Sequence, residues 1–444
     1  MLPKSKNSAQ SSFFLGFEEQ LSAKHPLYIL ANRIEWSVFE NAFKKHYSSN
    51  MGKPSKPIRM MVALLILKYV RNLSDESVVE QWAENSYYQY FSGEHSFVPG
   101  IPCVPTELVA FRHRIGEEGM ELILKESIRV NEPPEPGGGA TLSLDTTVQE
   151  KNITYPTDDK LYKKIIKACW KIADREDIDL RQPYNRVVKK LSTVQRFRKN
   201  RNGAKKARAA SKAIKSIAGR LVRELGRKLP IMVLGQYLPK LKIYQQVLSQ
   251  KKGDTGKIYS LHEPDTKCYS KGKEHKKFEF GSKASVLVDQ STGIIVGAYN
   301  FTHTLHDSKT VPDALEQYER LTGTQAAEVF VDRGYRGMTV YKETRIHIPQ
   351  PQKNITKSKR KKHSRRAAIE PVIGHLKTDY RLGRNFLKGI IGDHINVILA
   401  AAAMNFKRAM NLWRTEAIAR WKLVLIYIIN VYRIFMPKNL NWTF

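Results

Sequence analysis

The feature that most restricts the fold of this chain is a pair of short apolar strands that each lead into an aspartate. Residues 141–145 read Thr-Leu-Ser-Leu-Asp, and residues 328–332 read Glu-Val-Phe-Val-Asp. In open α/β sheets, ligands bind beyond the carboxyl ends of the strands. Asp145 and Asp332 are therefore predicted to end their strands at the edge of a sheet where a ligand would collect.

The order of the remaining elements predicts the fold class. Two β-like runs at 286–288 and 293–299 are joined by a short loop, as in a hairpin. A long stretch rich in Lys, Arg and Ala separates the first strand from this hairpin, and a helix follows the hairpin. This order indicates a mixed α/β (α+β) fold with ribonuclease H topology and a helical insertion between the first and second strands.

The formal net charge of +33 is concentrated in two segments of the 444-residue chain. Residues 181–252 hold 21 Lys and Arg against one acid, and residues 353–366 hold eight with none, whereas residues 1–150 are net negative. Because like charges repel, such one-sided segments indicate a polyanionic partner, with nucleic acid ahead of an anionic membrane surface. The candidate DNA contacts in the N-terminal region and the insertion are Arg112, Arg114, Arg196, Arg198, Lys205, Lys206 and Arg208.

Composition and local signals divide the chain into segments. Three Pro and three Gly in residues 131–140 mark the clearest linker. Helix signals before it, such as Ser74 at an N-cap, suit a helix-turn-helix-like module, and a helical bundle without DNA contacts fits equally well. The expected segments are a flexible N-terminus at 1–25, a helical DNA-binding domain at 26–130, the linker, a ribonuclease-H-like domain at 141–410 with its insertion at about 156–252, and a C-terminal tail at 411–444.

The cellular compartment is predicted from cysteine usage and from the ends of the chain. Three cysteines match no zinc or haem spacing and are too few for a disulfide scaffold. No signal-peptide pattern opens the chain, and the apolar run at 423–429 is shorter than the ~20 residues that span a bilayer. We expect a cytoplasmic protein without a membrane partner, in which that run is a packing element.

A third carboxylate, Glu370, lies just after the second basic segment. It belongs to a stretch that reads as helical, with a kink or a helix start at Pro371. At 100° per residue, Arg366 and Lys377 fall on the same helix face as Glu370. One face would therefore offer a metal-binding carboxylate flanked by two cations that hold the DNA backbone.

The three carboxylates fit the chemistry of phosphodiester cleavage. Two Mg²⁺ ions ~3.5–4 Å apart need several hard oxygen ligands on rigid elements. Each acid alone could be a helix cap or a strand-end turn, but with the topology and the basic insertion we predict Asp145, Asp332 and Glu370 as catalytic residues and metal ligands. Other acids are assigned structural roles, Asp289 in the hairpin turn and Asp307 in a helix cap.

These motifs resemble those of the DDE transposases of bacterial insertion sequences, in the insertion-sequence-five family. Residues 144–148 and 331–335 are similar to the family's two aspartate motifs, and residues 64–94 look like part of its N-terminal helical domain. Arg366, Glu370 and Lys377 match the signature Tyr-x2-Arg-x3-Glu-x6-Lys, with His363 at the Tyr position. A segment between the aspartates also resembles the family, through His303, His306, Asp307 and Lys309.

The resemblance implies an activity and its partners. The chain would cleave strands at the terminal inverted repeats of an insertion sequence with Mg²⁺, for which Mn²⁺ can substitute, and then join the freed 3′ ends to target DNA. Double-stranded DNA and a homo-oligomer in the synaptic complex are the implied partners, at the bacterial nucleoid. The alternatives are a ribonuclease-H-like nuclease without strand transfer and an inactive DNA-binding derivative; a membrane-surface protein lacks support from any amphipathic anchor.

Overall fold

The computed structural model describes residues 16–48, 54–131, 139–251, 253–270, 277–349 and 356–435, with side chains up to residue 415. The helices are α1 (Phe17–Gln20), α2 (Pro26–Arg33), α3 (Trp36–Lys44), α4 (Ile58–Val70), α5 (Asp75–Glu84), α6 (Ser86–Phe91), α7 (Pro105–Val130), α8 (Asp158–Arg175), α9 (Asn185–Arg196), α10 (Ala204–Lys228), α11 (Ile231–Ser249), α12 (Val311–Thr322), α13 (Lys357–Arg366), α14 (Ile369–Asp379) and α15 (Gly389–Phe435). The strands are β1 (Thr141–Lys151), β2 (Lys267–Ser270), β3 (Phe278–Asp289), β4 (Ile295–Phe301), β5 (Glu328–Phe330), β6 (Val340–Tyr341), β7 (Thr344–His347) and β8 (Arg384–Asn385). Short 3-10 turns lie at Phe197–Lys199, Asp307–Thr310 and Arg333–Tyr335.

The described strands form one mixed sheet in the order β2-β3-β1-β5-β7-β6, with β4 beside β3 and β8 beside β1. β1 runs antiparallel to β3, and β3 antiparallel to β4, whereas β1, β5 and β7 are parallel neighbours. The helix α12 connects β4 to β5, and α8 to α11 follow β1. The predicted mixed α/β fold with ribonuclease-H-like topology is therefore confirmed.

The first strand is longer than its sequence pattern predicts. β1 continues beyond Asp145 to Lys151, because its second half pairs with β3 as far as Glu150. β5 is short and ends at Phe330, which lies opposite Ser143. The prediction that β1 ends at Asp145 was wrong. Because Phe330, the last residue of β5, lies opposite Ser143, Asp145 lies just past the end of β5, beside the segment that leads to Asp332.

The N-terminal helices and the sheet share one hydrophobic core. α4 is buried on all its faces, and α15 packs against α2, α4, α7 and β4. Hydrogen bonds tie the same parts together: the Tyr69 hydroxyl donates to Asn396 Oδ1 at 2.9 Å, and the Asn131 amide donates to the Asn405 carbonyl at 3.0 Å. The helical region expected as a domain at 26–130 is therefore packed as part of the same body as the sheet.

Residues 16–25 of the expected flexible N-terminus are packed against the rest of the protein, and residues 1–15 lie outside the described part of the chain. Phe17 is 1% exposed, and its backbone N–H donates to the His95 carbonyl at 2.8 Å. Because burial of an aromatic ring holds this end in the core, the expectation of a loose segment was wrong for residues 16–25. Residues 132–138 of the predicted linker lie outside the described part of the chain.

The insertion folds around a core of its own. Apolar residues that recur at helical spacing are buried together, among them Ile165 of α8 and Ile214, Leu221 and Leu225 of α10. The candidate DNA contacts of this region lie on the outside of these helices and in the turns between them. All five of these candidates are exposed: Arg196, Arg198, Lys205, Lys206 and Arg208.

The C-terminal segment predicted as a tail from residue 411 continues a core helix. α15 runs unbroken through that position to Phe435. Its part Gly389–Thr415 has the length and hydropathy of a membrane span, but 78% of the most apolar window is buried inside the protein, as expected for a core helix. The apolar run at 423–429 belongs to the same helix, and its side chains lie outside the described residues.

Candidate active site

Asp145 is a mostly buried carboxylate in the middle of β1. Its Oδ1 accepts the backbone N–H of Thr146 at 2.8 Å, and 18% of the side chain is exposed. Burial raises the pKa of this carboxyl above its usual 3.8, and the charges of Asp332 and Asp307 raise it further, against the opposing effect of Arg366. Negative charge is therefore disfavoured at this position, and a bound cation would relieve the cost.

Asp332 lies two residues beyond the end of β5, at the start of a 3-10 turn. Its side chain accepts the backbone N–H of Gly334 at 2.7 Å, which caps the turn. A Cβ on Gly334 would lie 3.0 Å from Asp332 Oδ1 and 3.3 Å from Asp307 Oδ2. The absence of a side chain at Gly334 thus allows two carboxylates to approach the same point.

One guanidinium connects the two predicted aspartates. Arg366, the last residue of α13, places Nη2 3.2 Å from Asp145 Oδ2 and 4.0 Å from Asp332 Oδ2. The structure therefore brings together Asp145, Asp332 and Arg366, which are far apart in the sequence. The part of Arg366 in DNA binding stays a prediction, since here its charge faces the carboxylates.

Asp307 is a further carboxylate at this site, and its assignment as a helix cap was wrong. His306 caps the turn instead, through its ring nitrogen. Asp307 Oδ1 accepts the Thr146 hydroxyl at 2.7 Å and lies 2.8 Å from Lys283 Nζ, so it is held against β1 and β3. The signal that could have found it was its place in the family-like segment between the two aspartates.

Glu370 is the second residue of α14, and Pro371 is the third. Of the predicted kink or helix start at Pro371, the structure shows a helix start, which lies two residues earlier, at Ile369. Arg366 ends the preceding helix α13, and the prediction of one continuous face through Arg366 and Glu370 was therefore wrong. Lys377 does share α14 with Glu370. The Glu370 side chain is exposed, α14 packs against β1, and within the described chain no ion pair or hydrogen bond joins Glu370 to either aspartate.

The donor set fits a hard divalent cation. Among the described residues, no three His, Cys, Asp or Glu side chains surround a common point closely enough to hold an ion by themselves. Mg²⁺ does not need such a cage, because it commonly uses one or two carboxylates together with water and substrate phosphates. Asp145 and Asp332, which already face one shared cationic group, would hold it, and phosphate oxygens of DNA would complete its coordination.

His363 occupies the Tyr position of the family signature and packs against β5, the strand that precedes Asp332. Its ring meets the Phe330 ring edge-on with centroids 4.9 Å apart. Burial lowers the pKa of His363, and the charges of His347, Lys359 and Arg366 lower it further. The ring is therefore uncharged at neutral pH and serves as a packing residue behind the site in this structure.

Arg112, a predicted DNA contact, is a buried structural residue. It is 3% exposed and donates twice to Asp75, with both nitrogen–oxygen distances at 2.7 Å. Lys68 Nζ lies 2.8 Å from the same carboxylate. The prediction for Arg112 was wrong because this face of α7 packs against α5, whereas Arg114 is exposed and lies 4.7 Å above the Tyr47 ring.

Comparisons with known proteins identify the family. Residues 16–114 match the family described as "Transposase domain (DUF772)", and residues 253–406 match the "Transposase DDE domain". The chain belongs to the DDE transposases. A Rhizobium meliloti protein, "Uncharacterized protein ORF8 in nfe locus", is 35% identical over 196 residues, which make up 43% of this transposase and 94% of that protein. No solved structure matches the transposase.

The family match to the DDE domain covers only part of the candidate site of this transposase. The DDE match contains Asp307, Asp332 and Glu370, whereas Asp145 and the insertion precede it. Asp145 joins the site through the pairing of β1 with β3 and β5. Family membership implies polynucleotidyl transfer on DNA with a divalent metal, and the structure brings acidic residues from both sides of the insertion close together.

Proposed function

We propose that this transposase binds the terminal inverted repeats of an insertion sequence of the insertion-sequence-five type and catalyses Mg²⁺-dependent strand cleavage and strand transfer. The observation that carries the proposal is the convergence of Asp145 and Asp332 on the Arg366 guanidinium, within a chain of the DDE family. Asp145, Asp332 and Glu370 are the proposed catalytic and metal-binding residues. The protein would act as a homo-oligomer at the bacterial nucleoid.

The carboxylates supply oxygen ligands, and their neighbours hold them in place. A bound Mg²⁺ would activate the attacking water or 3′-hydroxyl and stabilise the leaving oxygen. Asp145 and Asp332 would hold it, and the Thr146 hydroxyl and Lys283 orient Asp307 toward the same place. Glu370, exposed at the start of α14, is free of burial constraints and can face a metal–DNA complex.

Arg366 balances part of the negative charge of the two aspartates in the absence of DNA and metal. Its guanidinium donates to Asp145 at 3.2 Å, and 15% of its side chain is exposed. With a divalent cation held by the two aspartates, the guanidinium of Arg366 would be available to a phosphate. We therefore retain Arg366 and Lys377 as DNA-binding residues at the site.

The exposed cations of the insertion are proposed to hold the DNA backbone. Arg196, Lys205, Lys206 and Arg208 are exposed on a subdomain with its own core, so their charges face solvent. Arg198 is exposed too, 3.7 Å from Asp159. Contacts of this kind are independent of sequence and weaken steeply with salt.

A strand-transfer assay tests the proposal. The purified protein is incubated with Mg²⁺, a labelled duplex that carries the DNA flanking its gene, and a supercoiled target plasmid. We expect labelled ends to join the plasmid with the wild type and with Asp174→Asn, which changes an exposed acid of α8. We expect no joining with Asp332→Asn or Glu370→Gln, although both still bind the duplex.

Two outcomes would contradict the proposal. Cleavage of the duplex without any joining would assign the protein to the nuclease alternative. Full activity of Glu370→Gln would remove Glu370 from the catalytic set, and Asp307→Asn would then identify the replacement if it alone abolished the reaction.

A further inference from the structure

A second cationic site lies in a cleft between the N-terminal helices and α15. The cleft has a volume of about 480 Å³ and is lined by residues from the start of α2, the end of α4 and α15. The basic side chains in its wall are Lys24, His25, Arg71, Lys407 and Arg414. We call it the α15 cleft.

The positive charges of the α15 cleft act on one another. Burial lowers the pKa of Lys407, and the charges of Arg71 and Arg414 lower it further. The pKa of His25 is lowered by burial and by Arg71. Of the described residues that line the cleft, none is a carboxylate. The fold therefore holds Arg71, Lys407 and Arg414 near enough to repel one another, and an anion in the cleft would relieve that repulsion.

The groups present suit phosphate oxygens. Guanidinium and ammonium groups form the strongest hydrogen bonds to phosphate, and amide and hydroxyl groups such as those of Asn411 and Ser22 commonly complete such contacts. The volume lies within the range of sites that accept a nucleotide-sized group. Arg71 and Lys407 come from distant parts of the sequence, so the site exists only in the folded chain.

We infer that the α15 cleft binds the phosphodiester backbone of DNA, as a contact separate from the acidic site on β1. The inference rests on the proposed function only in naming DNA as the polyanion. The cleft would also let the net negative N-terminal region contribute to DNA binding. Arg112 of that region is engaged with Asp75, whereas at the cleft Lys407 and Arg414 of α15 add positive charge beside the N-terminal helices.

Matched charge reversals test the inference. Lys407→Glu places a carboxylate among the cations of the cleft, whereas Lys125→Glu makes the same change in net charge on an exposed position of α7. Binding of each full-length variant to a short DNA duplex of arbitrary sequence is measured by fluorescence anisotropy over a salt series. Lys407→Glu should weaken binding and reduce the log–log salt slope by about 0.9 or more, and Lys125→Glu should leave the slope unchanged.

Further measurements keep the test decisive. In thermal unfolding, Lys407→Glu should be at least as stable as the wild type, since the new carboxylate would lie near Arg71 and Arg414. If the Lys407→Glu variant does not fold, the variant Arg414→Glu, at an exposed position of the cleft, is used in its place. Equal salt slopes for the cleft variants and Lys125→Glu would overturn the inference. Reduced binding to phosphatidylglycerol vesicles with unchanged duplex binding would also overturn it, in favour of a membrane contact.

The two proposals can fail separately. A protein that binds the duplex through Lys407 but never joins DNA ends would retain the α15 cleft and lose the transposition proposal. If the wild type joins DNA ends but Lys407→Glu binds the duplex with the same salt slope as the wild type, the cleft inference fails and the transposition proposal stands.

Discussion

Two clusters of aspartate and basic residues in this protein use the same chemical groups in opposite ways. In the Asp75 cluster, one carboxylate meets two buried cations, Lys68 and Arg112. In the Asp145 cluster, Asp145, Asp332 and Asp307 share the neighbourhood of Arg366 and Lys283, so acids outnumber bases. The first cluster is saturated and structural, whereas the second keeps an excess of negative charge that a divalent cation can balance.

The pKa shifts express the same contrast. Burial alone would raise the pKa of Asp75, but the hydrogen bonds and charges of Arg112 and Lys68 hold it below 3.8. The pKa of Asp145 is raised by burial and by its acidic neighbours, in spite of Arg366. A buried aspartate is therefore informative about function only when the sign of its neighbours is known.

The largest expected effect is on catalysis by the Asp145 cluster. Asp145→Asn removes a charged metal ligand, which is worth several kcal/mol, so strand transfer should fall by about a thousand-fold. The rate is measured with the labelled-end assay at saturating Mg²⁺. Retention of more than about a tenth of the wild-type rate would show that Asp145 is not a ligand.

Loss of the Asp75 carboxylate should affect stability instead. Asp75→Ala leaves Arg112 and Lys68 buried without their shared partner, and we expect the free energy of unfolding to fall by about 3–5 kcal/mol. Urea denaturation measures the change, with Arg114→Ala as the exposed control. A loss no greater than that of the control would make the Asp75 cluster energetically unimportant.

Asp307 should have an intermediate effect on activity. Asp307→Asn keeps the hydrogen bond from Thr146 but loses the charge that pairs with Lys283, and we expect strand transfer to fall by about 10- to 100-fold. The Mg²⁺ concentration needed for half-maximal rate should rise as well, which a purely structural role would not produce. An unchanged Mg²⁺ requirement would place Asp307 outside the metal site.

The smallest expected effect is a pH-dependent difference in stability. Because the folded-state pKa of Asp145 lies above 3.8, the ionised carboxylate costs stability at neutral pH, and the cost disappears as the pH falls through that raised pKa. Asp145→Asn should therefore be more stable than the wild type at neutral pH, with a gap that closes toward pH 3.8.

The opposite sign applies to the Asp75 cluster. Because the folded-state pKa of Asp75 lies below 3.8, its stabilising contribution is present above pH 3.8 and is lost as the pH falls through the folded-state value. Asp75→Asn should be less stable than the wild type at neutral pH, measured by urea denaturation over a pH series. If Asp145→Asn and Asp75→Asn changed the free energy of unfolding in the same direction at neutral pH, the contrast between the two clusters would be wrong.

Much of the fold was predictable because it depends on periodic patterns. Alternating apolar residues, the β3–β4 hairpin and the basic helical insertion indicated the ribonuclease-H-like topology, which the sheet confirms. Strand length was harder to predict, since β1 continues past Asp145 only because β3 supplies a partner. The role of Asp307 was missed because a helix cap and a site carboxylate have the same local sequence.

The sequence by itself determined the fold class, the order of the elements and the family motifs around Asp145, Asp332 and Glu370. Only the tertiary structure decided which charges lie near one another: Arg112 is buried against Asp75, Arg366 lies close to two aspartates, and Lys407 and Arg71 line the same α15 cleft. The physical reason is that secondary structure follows from local periodicity, whereas the effect of a charge depends on its burial and on partners brought near by folding.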